Sequence, residues 1–363
     1  MKNVFFILFP ILMLSCKETR KQTQISGNIS NLPDGTFYLY ERNSGSRIDS
    51  ATTTNGKFTL LHKWGNKKEP LYIGLDHIDK KGVTRIFSFN TNAKYRGQKW
   101  GTNVFLSDSI IIINGKLTYD SFIGFKLPEN KKPVTGPTLI AGKQTEAFYN
   151  IDGDLFESIN SKTIKAIQKK IAAYPYSYHL LYKINENKNN FSAKQVEDFL
   201  KSFKGEITHS DTYTKLQTYN NKRQHEINNV LPLLEDSNKL KKEILNKKYK
   251  KHLIIFWASW CGPCREEIPL LKKIYTTNGN NIEFISISID NDHSAWTKAL
   301  TQEQMDWTQL IVNNGTPEYE SLQIHFKLNQ AIPYTILVDS NMKILASSTG
   351  LSNEEELIKM LEK

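Results

Sequence analysis

Two cysteines with two residues between them are the part of this 363-residue sequence best equipped to do chemistry. Cys261-Gly262-Pro263-Cys264 sets its thiols at i and i+3, a spacing that a disulfide can bridge with little backbone movement where the pair brackets a helix start. The thiolate is the reacting form of cysteine, and the positive end of a helix with its unsatisfied N–H groups stabilises it. The third cysteine, Cys16, lies far away in sequence, so the pair is not one staple of a disulfide scaffold. Zinc is the chief rival for a Cys-x-x-Cys, but a structural zinc site wants four ligands. No second cysteine pair follows, the eight histidines are scattered with none at i, i+4 spacing, and no metal ligand is assigned.

The elements that must hold this pair can be read on either side of it. Leu253-Ile254-Ile255-Phe256-Trp257-Ala258 is a continuous apolar run, the pattern of a strand buried on both faces. After Cys264, the residues Ile268, Leu271, Ile274 and Tyr275 fall on one helical face, which places Cys261 at a helix N-terminus. Further on, the pattern predicts a strand over 282–289, a helix over 294–305 and a hairpin over 334–347 turning at 339–341. Ser352 and Glu355, in capping-box spacing, open a last helix. The order β-α-β-α-β-β-α describes an α/β unit on a mixed sheet.

The stretch from Phe256 to Pro269, with Trp257-Ala258-Ser259-Trp260-Cys261-Gly262-Pro263-Cys264 at its centre, resembles the active-site strand and helix of the TlpA-like thioredoxin family of bacterial thiol–disulfide oxidoreductases. Ile332-Pro333, ahead of a strand, resembles that family's cis-proline loop. The resemblance implies a thioredoxin fold over 246–363 and dithiol–disulfide exchange without a cofactor. Cys261 is then the nucleophile and Cys264, one turn into the helix, the resolving thiol. Trp260, Gly262, Pro263, Ile332 and Pro333 are the expected substrate-contacting residues, the Ile332 backbone pairing with an extended substrate segment. Glu267 stands where ResA-type members carry an active-site glutamate, which can raise thiol pKa values and carry the proton of Cys264. Arg265, Glu266 and Glu267 also read as exposed charges in a helix's first turn. Thioredoxins proper hold a buried Asp six residues before the first Cys; here that residue is Ile255, so acid–base duty falls to Glu267 or to water. The resemblance points to reduction of protein disulfides outside the cytoplasm, as in cytochrome c maturation, with electrons from a membrane thiol donor. The same fold also serves oxidation and isomerisation.

The N-terminus reads as an address. Lys2 precedes an apolar stretch from Val4 to Leu14, too short for the roughly 20 residues of a membrane span and suited to a signal peptide. Its end, Leu12-Met13-Leu14-Ser15-Cys16, resembles a bacterial lipobox. That implies a lipoprotein signal peptide over 1–15, acylation of Cys16 into the lipid bilayer, and a lipidated tether over 16–24. The chain is thus expected in the cell envelope, facing the periplasm.

Between address and cysteine pair lie a β-rich region and a helical one. Over 25–124, short strand patterns alternate with turn signals such as Pro33-Asp34-Gly35 and Asn55-Gly56, suggesting an all-β, sandwich-like domain. Its motifs resemble the β domain of unknown function found ahead of TlpA-like thioredoxin domains. Residues 125–245 read as a linker and helical region. Within them, Gly136 and Gly142-Lys143 fall short of a phosphate-binding loop: the spacing is too long and Gln144 stands where Ser or Thr is required. Ile159, Ile164, Ile167 and Ile171, then Val196, Phe199, Leu200 and Phe203, mark amphipathic helices. The lysine-rich run over 239–251 reads as a solvated helix or linker.

Composition supports this picture by exclusion. A 39% hydrophobic content with 11% aromatics is enough to build cores, which rules out a wholly disordered chain. A mean hydropathy of −0.48 with one prominent apolar run excludes a polytopic membrane protein. The net charge of +11 is spread along the chain without a base-stacking motif, so no nucleic-acid partner is inferred. One alternative from another class stays open: a lipid-anchored binding module whose cysteine pair is a static disulfide.

Overall fold

Strand burial in the N-terminal half follows a period of two, and two such sheets close on each other. In the computed structural model, residues 22–119, 127–225, 230–329, 331–351 and 353–363 are described. The expected signal peptide, tether start and Cys16 lie outside them, as does Ser352. The chain divides into two units: residues up to Leu155 with Ser177–His179, and Phe156–Tyr176 with Leu180–Lys363.

The first unit contains β1 (Gln22–Ile29), β2 (Gly35–Glu41), β3 (Arg47–Thr53), β4 (Lys57–Lys63), β5 (Tyr72–Asp79), β6 (Thr84–Phe87) and β7 (Phe89–Tyr95). It continues with β8 (Gln98–Thr102), β9 (Val104–Leu106), β10 (Ile110–Gly115), β11 (Thr118–Tyr119), β12 (Lys131–Thr135), β13 (Thr138–Ile140) and the short helix α1 (Lys143–Tyr149). One sheet has the order β13-β10-β1-β4 and the other β11-β12-β6-β5-β2-β3, with β9 also on β5; β7 and β8 form a separate ribbon. Ile25 and Phe58 of one sheet meet Phe37 and Phe87 of the other in a common core, the Phe37 and Phe58 rings 4.1 Å apart. The Asn55-Gly56 turn joins β3 to β4, and so one sheet to the other. Both turn residues have positive φ, 51° and 74°, and a Cβ on Gly56 would lie 2.0 Å from the Ile29 carbonyl oxygen.

The stretch expected as a linker after residue 125 instead completes this unit. β12 pairs in parallel with β6, β13 pairs with β10, and α1 packs Phe148 and Tyr149 into the core. Pro133, a residue type that argues against a central strand, sits in β12 with Ile86 as its partner. The glycine–lysine near miss has a structural resolution too. Buried Asp108 occupies the N-terminus of α1, accepting from the Gln144 and Thr145 backbone N–H groups at 3.2 and 2.9 Å. A carboxylate therefore fills the place a phosphate would need.

The second unit joins the helical region to an α/β sheet. Its helices are α2 (Ser161–Ala173), α3 (Tyr178–Glu186, in this unit from Leu180 on), α4 (Ala193–Ser202) and α5 (Asp211–His225), with a 3-10 turn at Lys188–Asn190. Ile167, Ile171, Val196, Phe199 and Leu200 are buried on their inner faces, as the sequence period implies. The sheet follows: β14 (Leu234–Glu235), β15 (Lys241–Lys242), β16 (Lys251–Trp257), α6 (Gly262–Asn278), β17 (Glu283–Ser288), α7 (His293–Glu303), β18 (Thr308–Ile311), α8 (Pro317–Phe326), β19 (Tyr334–Asp339), β20 (Ile344–Thr349) and α9 (Glu354–Leu361). Strand order is β15-β14-β18-β17-β16-β19-β20. β16 runs parallel to β17 and antiparallel to β19. Its side chains alternate between two cores. Ile254 and Phe256 pack with Trp296 of α7 and Phe326 of α8, while Leu253 and Ile255 pack with Leu271 of α6 and Leu357 of α9. Each such burial contributes about 1.5–3 kcal/mol, and cover on both faces explains the unbroken apolar run.

Three expectations for this unit need correction. β18 and α8 stand between α7 and β19, beyond the β-α-β-α-β-β-α order expected from the sequence. The lysine-rich segment is neither helix nor linker in its first part, because β14 and β15 form a hairpin that extends the sheet next to β18. The last helix is capped by Asn353, whose side chain accepts from the Glu356 N–H at 3.0 Å, one residue later than the expected cap. Among the described residues no helix is long and apolar enough to cross a membrane.

Candidate redox site

The C-terminal ends of β16 and β17 and the start of β19 meet at one end of the sheet. Phe256 pairs with Tyr334, so the loop after β16 and the residues before β19 share that end. Trp257 and Ala258 complete the buried run, the Cys261 N–H bonds to the Ala258 carbonyl at 3.0 Å, and α6 begins at Gly262. Cys261 is the N-cap residue. Its sulfur accepts from the Cys264 N–H at 3.2 Å, using one of the donors that a helix start leaves unpaired.

Cys261 and Cys264 form a disulfide, with Cα atoms 5.3 Å apart. Both residues are buried, and their loop neighbours are exposed: Gly262 and Pro263 lie between them, and Trp260, immediately before Cys261, is 68% exposed. The Ile332–Pro333 peptide is cis. Ile332 is half-buried and Pro333 buried, its carbonyl accepting from the Gly350 N–H at 3.0 Å. The expected site residues thus come from the β16–α6 loop, from α6 and from the residues leading into β19.

Glu267 lies one turn after Cys264 on the buried side of α6, not among its exposed first-turn charges. Its Oε1 accepts from the Leu351 N–H at 2.6 Å, while Oε2 is buried with no hydrogen-bond partner among the described residues. Burial pushes the carboxyl pKa up; the Leu351 hydrogen bond pulls it back, and the nearby Glu356 carboxylate pushes it up again. A carboxyl held above its usual range with a vacant oxygen can take up and release a proton. Arg265 instead faces α7, bonding Glu303 at 2.6 Å and Gln302 at 3.0 Å. Ile255, at the position where thioredoxins proper carry an Asp, is packed against α6.

One residue of this site escaped the sequence reading. Asp290, just after β17 and buried, accepts from the Ser259 N–H at 2.8 Å, the Ser259 hydroxyl at 2.7 Å and the Ser288 hydroxyl at 2.5 Å. It ties the loop entering the cysteine pair to the neighbouring strand. Asp290-Asn291-Asp292 reads locally as a turn, and only the pairing of β16 with β17 brings it beside Ser259.

Comparison with known proteins places the C-terminal domain among thioredoxin-like ones. Residues 248–344 match a family described as Thioredoxin-like, and residues 23–99 match a domain of unknown function, DUF4369. The chain is 24% identical over 155 residues to the thiol-disulfide oxidoreductase ResA of Bacillus cereus, covering 42% of this chain and 86% of that one. It is 42% identical over 52 residues to a thioredoxin of Streptomyces clavuligerus, covering 14% of this chain and 48% of the other. With a chloroplastic thioredoxin Y of rice it shares 32% over 77 residues, 21% of this chain and 44% of that one. The chain thus spans about half the length of these two thioredoxins. Among solved structures, the C-terminal domain of a putative thiol-disulfide oxidoreductase from Bacteroides thetaiotaomicron shares 29% identity over 36% of this chain and 90% of its own, with a TM-score of 0.30.

Proposed function

The C-terminal domain is thioredoxin-like, and from that premise we propose that this protein is an extracytoplasmic thiol–disulfide oxidoreductase that reduces protein disulfides. The observation that carries the reading is the Cys261–Cys264 disulfide at the N-terminus of α6, flanked by exposed Trp260, Gly262 and Pro263. In the reduced protein, the Cys261 thiolate attacks one sulfur of a substrate disulfide. The substrate S–S bond breaks, a mixed disulfide forms on Cys261, and the first substrate thiolate leaves and takes up a proton. Cys264 then gives its proton to Glu267 and attacks the Cys261 sulfur. The internal disulfide forms, the mixed disulfide breaks, and the second substrate thiol departs with a proton. Two electrons have passed to the substrate, one proton has come from Cys264 by way of Glu267 and the other from solvent, and no cofactor is required.

Trp260, Gly262 and Pro263 offer the substrate an exposed surface beside the sulfurs, and the Ile332 backbone ahead of cis Pro333 pairs with its extended chain. Restoring the dithiol requires an outside dithiol, which we assign to a membrane thiol carrier, in the setting of cytochrome c maturation. Cys16 is the lipidation site that holds the protein to the bilayer on the periplasmic side. The domain order is that of the sequence reading, with signal peptide, tether, β domain, helical region and thioredoxin-like domain in turn.

A trapping experiment tests the exchange. The full chain with Cys264→Ser, incubated with a disulfide-containing protein such as insulin, should accumulate a reductant-sensitive adduct through Cys261 that the Cys261→Ser, Cys264→Ser double variant does not form. A folded Cys264→Ser protein that forms no adduct would instead indicate a binding module with a static disulfide.

A further inference from the structure

Next to the cis-proline loop, the second unit holds a polar cleft of about 310 Å³ that the exchange chemistry does not use. Three separate stretches line it: Asn187 and Asn190 from the helical region, Lys327 and Asn329 after α8, and Ser347 and Thr349 on β20. Ala331 and Tyr334 also face it, and these residues bracket Ile332-Pro333. Tyr334 pairs with Thr349, so the cleft opens at the end of the sheet that carries the cysteine loop.

This wall is built, not incidental. Buried Asn189 donates from its side chain to the Gln323 and Leu328 carbonyls at 3.1 and 2.8 Å and accepts from the Tyr219 hydroxyl at 2.7 Å. Its backbone N–H donates to Asn329 Oδ1 at 3.3 Å. Asn329 Nδ2 donates to Asn190 Oδ1 at 2.8 Å, and Asn190 Nδ2 to Asn187 Oδ1 at 3.3 Å. The 3-10 turn of the helical region is thereby fixed against the segment that runs into the cis proline.

The chemistry of the cleft selects its occupant. A carboxamide has two N–H donors and two acceptor lone pairs, and the bonds above engage only part of that capacity in Asn187, Asn190 and Asn329. Such groups match peptide N–H and C=O groups. Lys327, exposed on the rim, has no carboxylate partner among the described residues. β20 is the last strand of its sheet, so an extended chain can lie along its open edge.

We propose that this cleft is a subsite for an extended, polar segment of the substrate polypeptide that carries an acidic side chain opposite Lys327. The inference rests on the exchange reading above, and assigns to the helical region the selection of substrates. Small disulfides without a peptide chain bypass the cleft.

The test compares three disulfides on the full chain, with a small dithiol restoring the Cys261–Cys264 pair after each exchange: a synthetic cystine peptide with an acidic flank, the same peptide with a lysine flank, and bis(2-hydroxyethyl) disulfide. Thr349→Trp, which fills the cleft, and Lys327→Glu should each lower kcat/KM for the acidic peptide by about tenfold. Turnover of the hydroxyethyl compound should stay unchanged, and Lys327→Glu should reverse the preference between the peptides. Equal losses on all three, or none on any, would overturn the subsite. A wild-type protein that turns over none of the three refutes the exchange reading instead. Calorimetry with the acidic peptide bearing serines for cysteines then judges the cleft alone. Binding that Thr349→Trp abolishes supports it, and no binding to wild type refutes it.

Discussion

Asp290 holds Ser259 by both its backbone N–H and its hydroxyl, at 2.8 and 2.7 Å, two residues before Cys261. A buried carboxylate at the end of β17 therefore sets where the cysteine loop leaves β16. Asp290→Ala would remove the acceptor of the half-buried Ser259 N–H and hydroxyl and of the buried Ser288 hydroxyl. The expected loss is about 1–3 kcal/mol of stability in urea unfolding, with Asp290→Asn costing less because the amide still accepts. As a positioning residue, Asp290 should also alter the pH dependence of Cys261 alkylation in the reduced protein. An unchanged alkylation profile with reduced stability would leave it a purely structural clamp.

Glu267 supplies a prediction with a defined sign. Its pKa in the folded protein lies above the ordinary value of 4.5. The folded state therefore holds its proton longer than the unfolded chain, and stability drawn from this group is lost as pH rises from the unfolded pKa through the folded one. Glu267→Gln cannot ionise, so its stability relative to wild type should climb with pH from about pH 4.5 upward. Resolution of a preformed mixed disulfide should slow by about a hundredfold, as for loss of a proton-transfer group. A stability difference independent of pH would contradict the assigned shift.

The β unit has its own titrating group. His77 is fully buried, and burial, then the Arg85 guanidinium, press its pKa down to about 4, against a smaller upward pull from Asp79. Well above pH 6.5 the ring is neutral in both states. As pH falls below 6.5 the unfolded chain takes the proton first, so stability is lost until about pH 4, by roughly 3 kcal/mol in all. His77→Leu should flatten this acid limb whatever its absolute stability, as read by urea unfolding at a series of pH values. An acid limb of unchanged slope would rule the group out.

Trp260 is 68% exposed, an uncommon position for a large aromatic, beside the cysteine pair. Trp260→Ala should leave stability within about 0.5 kcal/mol, since little packing is lost. It should lower kcat/KM on insulin several-fold while sparing a small disulfide. Equal effects on both substrates would remove it from the docking surface.

The cysteine pair and its helix were legible because their chemistry is local: i, i+3 spacing, an apolar run before and a 3.6 period after. Several other elements hid behind signals with two meanings. Pro317 after Gly315 reads as a break, yet proline is well suited to the first turn of a helix, and Tyr319, Leu322, Gln323 and Phe326 then bury one face of α8. The lysines of β15 suggest a solvated segment, and an edge strand tolerates them for the same reason. Asp290 and the asparagine-lined cleft depend on pairing between distant stretches, which no local pattern encodes.

The reduction potential of the Cys261–Cys264 pair in the full chain, measured against a graded thiol–disulfide buffer, tests the proposed direction of electron flow most directly. A reductase requires a low value, in the region of thioredoxin's about −270 mV. A value near the about −120 mV of the oxidant DsbA would contradict it and make this protein a donor of disulfides.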